Sequence, residues 1–465
     1  MRGFQAIVLA AGLGTRMRSK LPKAVHEICG KPMITLVLDA LEAAGAEGSF
    51  VVVGHLAELV EEVVGDRAVC ILQSEQKGTG HAVMQAEDAL SGYEGPVVVA
   101  AGDAAYLSEA DLRSLVNHHQ ETKASATILS SILENPYGYG RVVREASGQI
   151  RRIVEDKDCS PEEALICEVN SSVYCFEKRV LFDALSRITP DNVQGEYYLT
   201  DVIEVMIQEG FRVEAVVSED PLAAQGINTR CQLAEAERIY RDRIRERLML
   251  SGVTMVDPET TFVDFDVVIR QDTTILPFSV IQGKTVIGED CTIGPFARIV
   301  DSKVSSGATI SNAVVIEAEV GKDVSVGPYA YLRSGTVLAE RAKIGTFVEI
   351  KKSTVGKGSK VPHQSYLGDA TVGEGVNIGA GAITCNYDGF HKYPTIISDE
   401  AFVGSNANLV APVKLGKGAY VAAGSTITQD VPEGALGIGR GQQRNIQGWA
   451  ARRLEERKKS GSIED

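Results

Sequence analysis

Arg16 and Lys23 belong to one short segment, Leu9-Ala10-Ala11-Gly12-Leu13-Gly14-Thr15-Arg16-Met17 followed by Leu21-Pro22-Lys23. The apolar run from Ala6 to Leu9 ahead of it reads as a buried strand. A glycine-rich turn at a strand end leaves backbone N–H groups unpaired, so a nucleotide phosphate can approach them with a guanidinium and an ammonium close by. The spacing lacks the Gly-Lys-Ser/Thr of the P-loop, and Met17 stands where the dinucleotide fingerprint has its third glycine. An ordinary strand-to-helix turn uses the same glycines. The two cations turn the reading toward phosphate.

Nucleotidyl transfer needs in-line attack on an α-phosphate, cations around the developing charge and a divalent metal bridging phosphate oxygens. Asp103 follows the apolar run Pro96 to Ala101 and Gly102, and its carboxylate is a hard ligand suited to Mg²⁺. On its own such an Asp reads as a helix cap; the Arg-Lys loop upstream reverses that preference. Gln73 and Gly78-Thr79-Gly80-His81-Ala82 suit edge-on recognition of a base by amide and backbone groups, and are equally compatible with a simple helix start. In the second half, His363 lies within a short stretch of Lys351, Tyr366 and Asn377, with Arg333 upstream. A neutral imidazole can take a proton from an attacking amine or hydroxyl, and direct transfer from a thioester then needs no covalent enzyme intermediate. A zinc site is the competing reading, but His363 and His391 alone are too few for a three-histidine centre within one chain.

These residues need two kinds of scaffold. Up to about residue 228, strand-like runs (Gln5 to Ala11, Phe50 to Gly54, Ala68 to Gln73, Pro96 to Ala101) alternate with helical spacing (Pro32 to Ala44, Ala57 to Val64, Gly80 to Leu90, Glu109 to Glu121). This βαβ pattern predicts a mostly parallel, Rossmann-like sheet with ligands outside the carboxyl ends of its strands. The later pieces Ser125 to Leu133, Gly140 to Glu145 and Ile166 to Phe176 are expected to form a second lobe over the cleft. Residues 229–250 keep a helical period through Leu233, Ile239, Tyr240 and Ile244 and read as a linker helix. From residue 251 an aliphatic residue recurs every six positions, usually before Gly, as at Ile287, Ile293, Val320, Val326, Ile344, Val355, Val372, Ile378, Val403 and Leu415. Each hexapeptide then forms one side of a triangular coil, and the aliphatic side chains stack into a continuous core. The repeat is expected to break between Cys385 and Ala401, expelling Asn386 to Pro394 as a loop, and to stop after Val431, leaving a charged, helix-like tail from Gly448 to Ser460 within the 251–465 domain.

With 465 residues, 44% of them hydrophobic and 23% charged, the chain has the composition of a globular protein of two or three domains. The formal net charge of -15 argues against a nucleic-acid or anionic-membrane surface, so an anionic ligand must be held by local cations. Eight scattered cysteines with no Cys-x-x-Cys pair, no leader and no stretch long enough to cross a membrane point to reduced thiols in the cytoplasm.

The string Leu-Ala-Ala-Gly-x-Gly-Thr-Arg-Met with Pro-Lys resembles the signature of sugar-1-phosphate nucleotidyltransferases. Followed by a hexapeptide array, it is similar over nearly the whole chain to the family of bacterial bifunctional N-acetylglucosamine-1-phosphate uridyltransferase/glucosamine-1-phosphate acetyltransferases. Further motifs match in order: Gln73-x-Glu75-Gln76-x-Gly78-Thr79-Gly80-His81-Ala82, Gly138-Tyr139-Gly140-Arg141, Glu155-x-Lys157, Glu168-Val169-Asn170, Gln194 to Asp201, Gly226-Ile227-Asn228, His363-x-Ser365-Tyr366-Leu367-Gly368-Asp369, Asn377 to Gly381 and Thr384 to Gly389.

The resemblance implies a left-handed parallel β-helix in residues 251–465 and a nucleotidyltransferase domain in 1–228. Leu9, Ala10, Ala11, Gly12, Gln73, Gly78 and Thr79 would hold the uridine, with Ala101 and Gly102 beside them. Lys23 and Arg16 would meet the phosphates. Gly140, Glu155 and Asn170 would read N-acetylglucosamine, and Asp103 and Asn228 would bind Mg²⁺. Arg333, Lys351, Tyr366 and Asn377 would receive glucosamine-1-phosphate with His363 as base, and Ala380, Asn386, Tyr387, Ser405, Ala423 and Arg440 would contact acetyl-CoA. Acetyl transfer, then uridylyl transfer from UTP to N-acetylglucosamine-1-phosphate, would give UDP-N-acetylglucosamine in a homotrimer. Three positions depart from the pattern: Ala101 replaces a larger residue, Ala105-Tyr106-Leu107 follows Asp103 in place of Pro-Leu, and Pro362 replaces Asn before His363. Two other readings remain open on sequence: uridylyl transfer alone with the β-helix as a trimerisation scaffold, and a nucleotide-sugar sensor.

Overall fold

The computed structural model describes residues 3–12 and 14–460. Leu13 of the glycine-rich turn and residues 461–465 of the C-terminal domain lie outside the described residues. The chain divides into two units, Met1–Ile244 and Arg245–Asp465, so the division falls inside the helix Arg230–Leu250.

The first unit is a nine-stranded sheet whose main path runs Val213–Val217, Ala126–Ile132, Glu168–Glu177, Pro96–Ala101, Phe4–Leu9, Ala46–Val53, Val69–Leu72. The central strand is parallel to both neighbours, pairing Ile7 with Phe50 and with Val99. Helices cover both faces, so its residues are apolar on both sides: Ala6 and Val8 join the core under Met33–Ala44 and Glu109–Thr122, while Ile7 joins the core under Lys178–Leu185 and Asp201–Gln208. A capping box fixes the start of Glu109–Thr122, with the Ser108 hydroxyl accepting from Asp111 N–H and the Asp111 carboxylate accepting from Ser108 N–H.

Two expectations are corrected here. Ser125 to Leu133 and Ile166 to Phe176 do not build a separate lobe: as Ala126–Ile132 and Glu168–Glu177 they extend the main sheet, the latter antiparallel to both neighbours. Their alternate residues, Ile128, Tyr174 and Phe176 against Leu129, Val173 and Cys175, are buried on opposite faces, as a central strand requires. Only the ribbon Arg141–Arg144 with Ile150–Val154 branches off. The helix over Gly80 to Leu90 is also interrupted, running Thr79–Met84 and resuming as a 3-10 turn at Asp88–Leu90.

The second unit is a left-handed parallel β-helix of three sheets with 11, 10 and 9 strands. Ile275 pairs with Ile293 and Ile281 with Ile299, each one coil of three hexapeptides later, and all four side chains are buried. The coil resumes after the inserted loop sooner than expected. Thr395–Ile397 pairs with Ala370–Val372 and with Val413–Leu415, burying Thr395 and Ile397 although Ser398 stands in the usual Gly position. Nor does it stop at Val431, because Leu436–Gly437 still pairs with Tyr420–Val421. Trp449–Lys459 is an exposed helix. Among the described residues no helix is long and apolar enough to cross a membrane.

Candidate active sites

In the first unit, a cleft of about 480 Å³ opens at the carboxyl ends of Phe4–Leu9 and Pro96–Ala101. Leu9, Ala10, Ala11, Gly12, Lys23, Gln73, Gly78, Thr79, Ala101, Gly102, Asp103 and Glu155 all line it. The hydrogen bond from Gly102 N–H to Leu9 O, at 2.9 Å, ties the two strand ends together. Gly14 has φ 58°, which lets the turn reverse into the 3-10 segment Thr15–Met17.

Lys23 forms an ion pair with Asp103 and donates to Asn228 Oδ1 at 2.9 Å, while Arg16 donates to the same oxygen at 2.8 Å. Asn228 therefore gathers both loop cations although it is absent from the cleft lining. The Asp103 carboxylate and the Asn228 carboxamide converge on one ammonium, so two hard oxygens already face a shared cation position. That donor set fits a divalent metal whose remaining ligands are phosphate and water oxygens. Among the described residues no group of three or more His, Cys, Asp or Glu could hold a metal.

Gln73 is buried, donating to Gly78 O at 3.3 Å and meeting His81 Nδ1 at 2.9 Å. Gly78 has φ 108°, and a Cβ there would fall 2.6 Å from Tyr197 O, so this turn accepts only glycine. The segment around Tyr197 packs on the same run: Gly80 N–H donates to Tyr197 O and the Thr79 hydroxyl accepts from Leu199 N–H.

The residues expected to read the sugar occupy two layers. Glu155 lines the cleft, its carboxyl pushed up by burial and receiving the Thr200 hydroxyl at 3.2 Å. Asn170 and Gly140 stand behind it, with Asn170 donating to the Tyr174 hydroxyl at 2.7 Å and its N–H donating to Gly140 O. Tyr174 and Ser172 reach the cleft instead. A bulge between Asn170 and Val173 puts Ser172 at φ 60°. Sequence reasoning missed both, together with Gln76, Glu196, Leu199 and Thr200 of the lining; the adjoining motifs Glu168-Val169-Asn170 and Gln194 to Asp201 were the available signal.

In the second unit the candidates share one stretch of the prism. Glu349 pairs with Tyr331 and Tyr366 on neighbouring coils, Lys351 with Gly368, and Thr346 with the exposed His363. Asn377 lies one coil above Lys360. Pro362 is accommodated within the extended segment Lys360–His363, where the coil needs no helical backbone. Arg333 donates to Glu349 at 2.7 Å. The inserted loop is a small hairpin, bridged at Tyr387 and Lys392, with the Asp388 carboxylate accepting from Phe390 and His391 N–H groups. It brings Lys392 against Lys351. Lys392, then desolvation and then Arg333 hold the Lys351 ammonium below its ordinary pKa, with Asp369 opposing them. Three cations thus crowd one surface patch, and Lys392 is the member that sequence reasoning missed.

The expected acetyl-CoA residues form a column and a loop root. Asn406 N–H donates to Ala380 O at 2.7 Å, Gly424 N–H to Ser405 O at 2.8 Å, and Arg440 to Ala423 O at 2.6 Å, so these four residues climb successive coils. Asn386 is buried and donates to Asp369, while Tyr387 beside it is exposed.

Comparison with known proteins fits both halves. A family model described as nucleotidyl transferase matches residues 5–221, one described as GMPPB C-terminal domain matches 263–355, and one described as hexapeptide repeat of succinyl-transferase matches 394–429. The Bifunctional protein GlmU of Heliobacterium modesticaldum is 51% identical over 448 residues, 96% of this chain and 98% of that one. That of Caldanaerobacter subterraneus subsp. tengcongensis is 50% identical over 463 residues, 100% of both. The chain belongs to the bifunctional GlmU family. It is accordingly a transferase with two activities, an acetyltransferase and a uridyltransferase of UDP-N-acetylglucosamine synthesis. Its chemistry uses a metal ion and acetyl-CoA, and its substrates are a nucleotide and sugar phosphates.

Proposed function

We propose that the two clusters are the two reaction centres, each working with the residues that face it. In the first, an oxygen of N-acetylglucosamine-1-phosphate attacks the α-phosphorus of UTP and the bond to pyrophosphate breaks. Lys23, Arg16 and the backbone of Leu9 to Gly12 hold the phosphates, Gln73, Gly78 and Thr79 the uracil, and Glu155 the sugar, with Asn170 and Gly140 supporting it from behind. Asp103 and Asn228 would hold Mg²⁺, which when bound neutralises charge on the phosphate oxygens. In the second, the amine of glucosamine-1-phosphate attacks the acetyl thioester, His363 takes the proton and the CoA thiol leaves. Arg333, Lys351 and Lys392 bind the phosphate, Tyr366 and Asn377 the sugar, and Ala380, Asn386, Tyr387, Ser405, Ala423 and Arg440 the acetyl-CoA.

The observation that carries this reading is the pair of separately built cation clusters, Arg16–Lys23 with Asp103 and Asn228 in one unit and Arg333–Lys351–Lys392 in the other. The test incubates the pure protein with UTP, Mg²⁺ and each sugar phosphate while pyrophosphate is measured, and with acetyl-CoA and glucosamine-1-phosphate while free thiol is measured. Both products are expected; absence of either overturns the assignment for that site.

A homotrimer is part of the proposal. Phe278 stacks on Phe296 at 5.0 Å and Tyr329 on Phe347 at 5.4 Å, and all four are more than half exposed, an apolar ladder suited to cover by another copy. Light scattering on the full chain is expected to return three times the chain mass, and a monomer contradicts this. None of the eight cysteines is in a disulfide, which suits a reducing cytoplasm.

A further inference from the structure

Arg230 belongs to none of the motifs that carry either activity, yet it reaches back to the glycine-rich loop at two points. Its Nε donates to the carbonyl of Met17 at 3.3 Å, and its Nη1 meets His26 Nδ1 at 3.3 Å. Met17 directly follows Arg16 in the chain, and His26 lies just beyond Lys23, with its N–H donating to Lys23 O at 3.2 Å. One guanidinium therefore spans the loop outside both phosphate cations.

The arrangement is specific about the state of His26. An arginine has no acceptor, so Nδ1 must accept and the ring must be neutral with its proton on Nε2. His26 is 5% exposed, and Nε2 is buried without a hydrogen-bond partner. Burial, and then the Arg230 charge, push the ring's pKa down and keep it an acceptor. Among the described residues, Arg230 is therefore the hydrogen-bond partner of the buried ring.

Arg230 is in turn registered on the site through its own helix. Thr229 and Gln232 close a reciprocal cap, Gln232 N–H donating to the Thr229 hydroxyl at 3.2 Å and Thr229 N–H to Gln232 Oε1 at 3.0 Å. The same Gln232 oxygen accepts from Asn228 N–H at 2.9 Å. Further along, Glu237 accepts from Cys29 N–H at 2.6 Å, and Tyr240 stacks on Tyr106 at 5.7 Å and donates to Ala105 O. Ala105 and Tyr106, two of the three residues that depart from the family pattern, are thereby seated against this helix.

We propose that Arg230 is a positioning residue for uridylyl transfer, clamping the Arg16–Lys23 loop through Met17 and His26 so that both cations meet the reacting phosphates in register with Asn228. Arg230 does not line the cleft, so its loss should leave ground-state binding nearly intact and weaken interactions that depend on sub-ångström placement. The proposal rests on the reading of Lys23 as a phosphate cation, and Lys23→Ala measured alongside separates the two: retained activity there overturns both, whereas activity lost there and retained in Arg230→Ala overturns the clamp alone.

The experiment compares steady-state uridylyl transfer for Arg230→Ala, Arg230→Lys, His26→Asn and His26→Leu in the full chain. Arg230→Ala is expected to lower kcat by about 10- to 100-fold with KM for UTP within about threefold of wild type. Arg230→Lys, which keeps the charge but cannot span both acceptors, is expected to fall between. His26→Asn keeps an acceptor near Nδ1 and should retain most of the rate; His26→Leu should lose about tenfold. The unchanged KM reports that the cleft is folded. A kcat for Arg230→Ala within threefold of wild type, an effect confined to KM, or equal losses in His26→Asn and His26→Leu overturns the proposal.

Discussion

The two proposed reaction centres gather positive charge in opposite ways. In the first unit the protein already partners the cations: Asp103 neutralises Lys23, and the Asn228 carboxamide oxygen accepts from both Arg16 and Lys23. In the second, Arg333 has Glu349, but Lys351 is crowded by Lys392 and Arg333 and its ammonium is held below its ordinary pKa. The first is a concave cleft between strand ends, where an unpaired ammonium would be costly to desolvate. The second lies on the outside of a prism, where water tolerates like charges until a phosphate arrives. A preorganised, self-compensated site should be sensitive to small displacements, and an open, charge-frustrated one to ionic strength and to the loss of individual cations.

The largest effect expected is for His363→Ala, which should cut acetyl transfer by about 10²- to 10⁴-fold and leave uridylyl transfer unchanged, read by thiol release and pyrophosphate release on one sample. Retained acetyl transfer would move attention to His391. Lys23→Ala should do the converse, lowering uridylyl transfer by about 10²- to 10³-fold with acetyl transfer near normal; equal loss of both in a folded protein would contradict independent centres. Lys392→Ala sharpens the contrast. It should raise KM for glucosamine-1-phosphate about tenfold, with the difference from wild type shrinking as salt is added, because one exposed charged hydrogen bond is lost. An effect on kcat alone would mean that Lys392 does not bind the phosphate.

The smallest effect concerns stability. Asp201, half-buried beside Glu155 and Glu204, has its carboxyl pushed up to about 6, first by burial and then by those carboxylates. Between the unfolded value near 3.8 and the folded value near 6, the folded state binds the extra proton, so stability falls as pH rises through that window. Asp201→Asn should therefore raise thermal stability at pH 7 by roughly 1–2 kcal/mol, after allowance for solvent screening, and have little effect near pH 3.5. A change of the same size at both pH values would show that ionisation is not the cause.

Much of this organisation was legible in the chain. The hexapeptide period identifies the β-helix because each aliphatic residue, such as Ile275, Ile281, Ile287 and Ile293, is buried wherever the period places it, and the core is local to neighbouring coils. The glycine-rich loop and the Gly78-Thr79-Gly80 turn were legible because Gly14 and Gly78 meet backbone conformations that other residues resist. Contacts between distant segments were not. No periodicity announces that Asn228 would sit between Arg16 and Lys23, that a bulge would turn Ser172 into the cleft, that the inserted hairpin would lay Lys392 against Lys351, or that Arg230 would reach His26. Sequence by itself determined what is encoded by local period, backbone conformation and short motif; the tertiary structure alone decided which charges meet, because the energy of an ion pair depends on distance in space and not on separation along the chain.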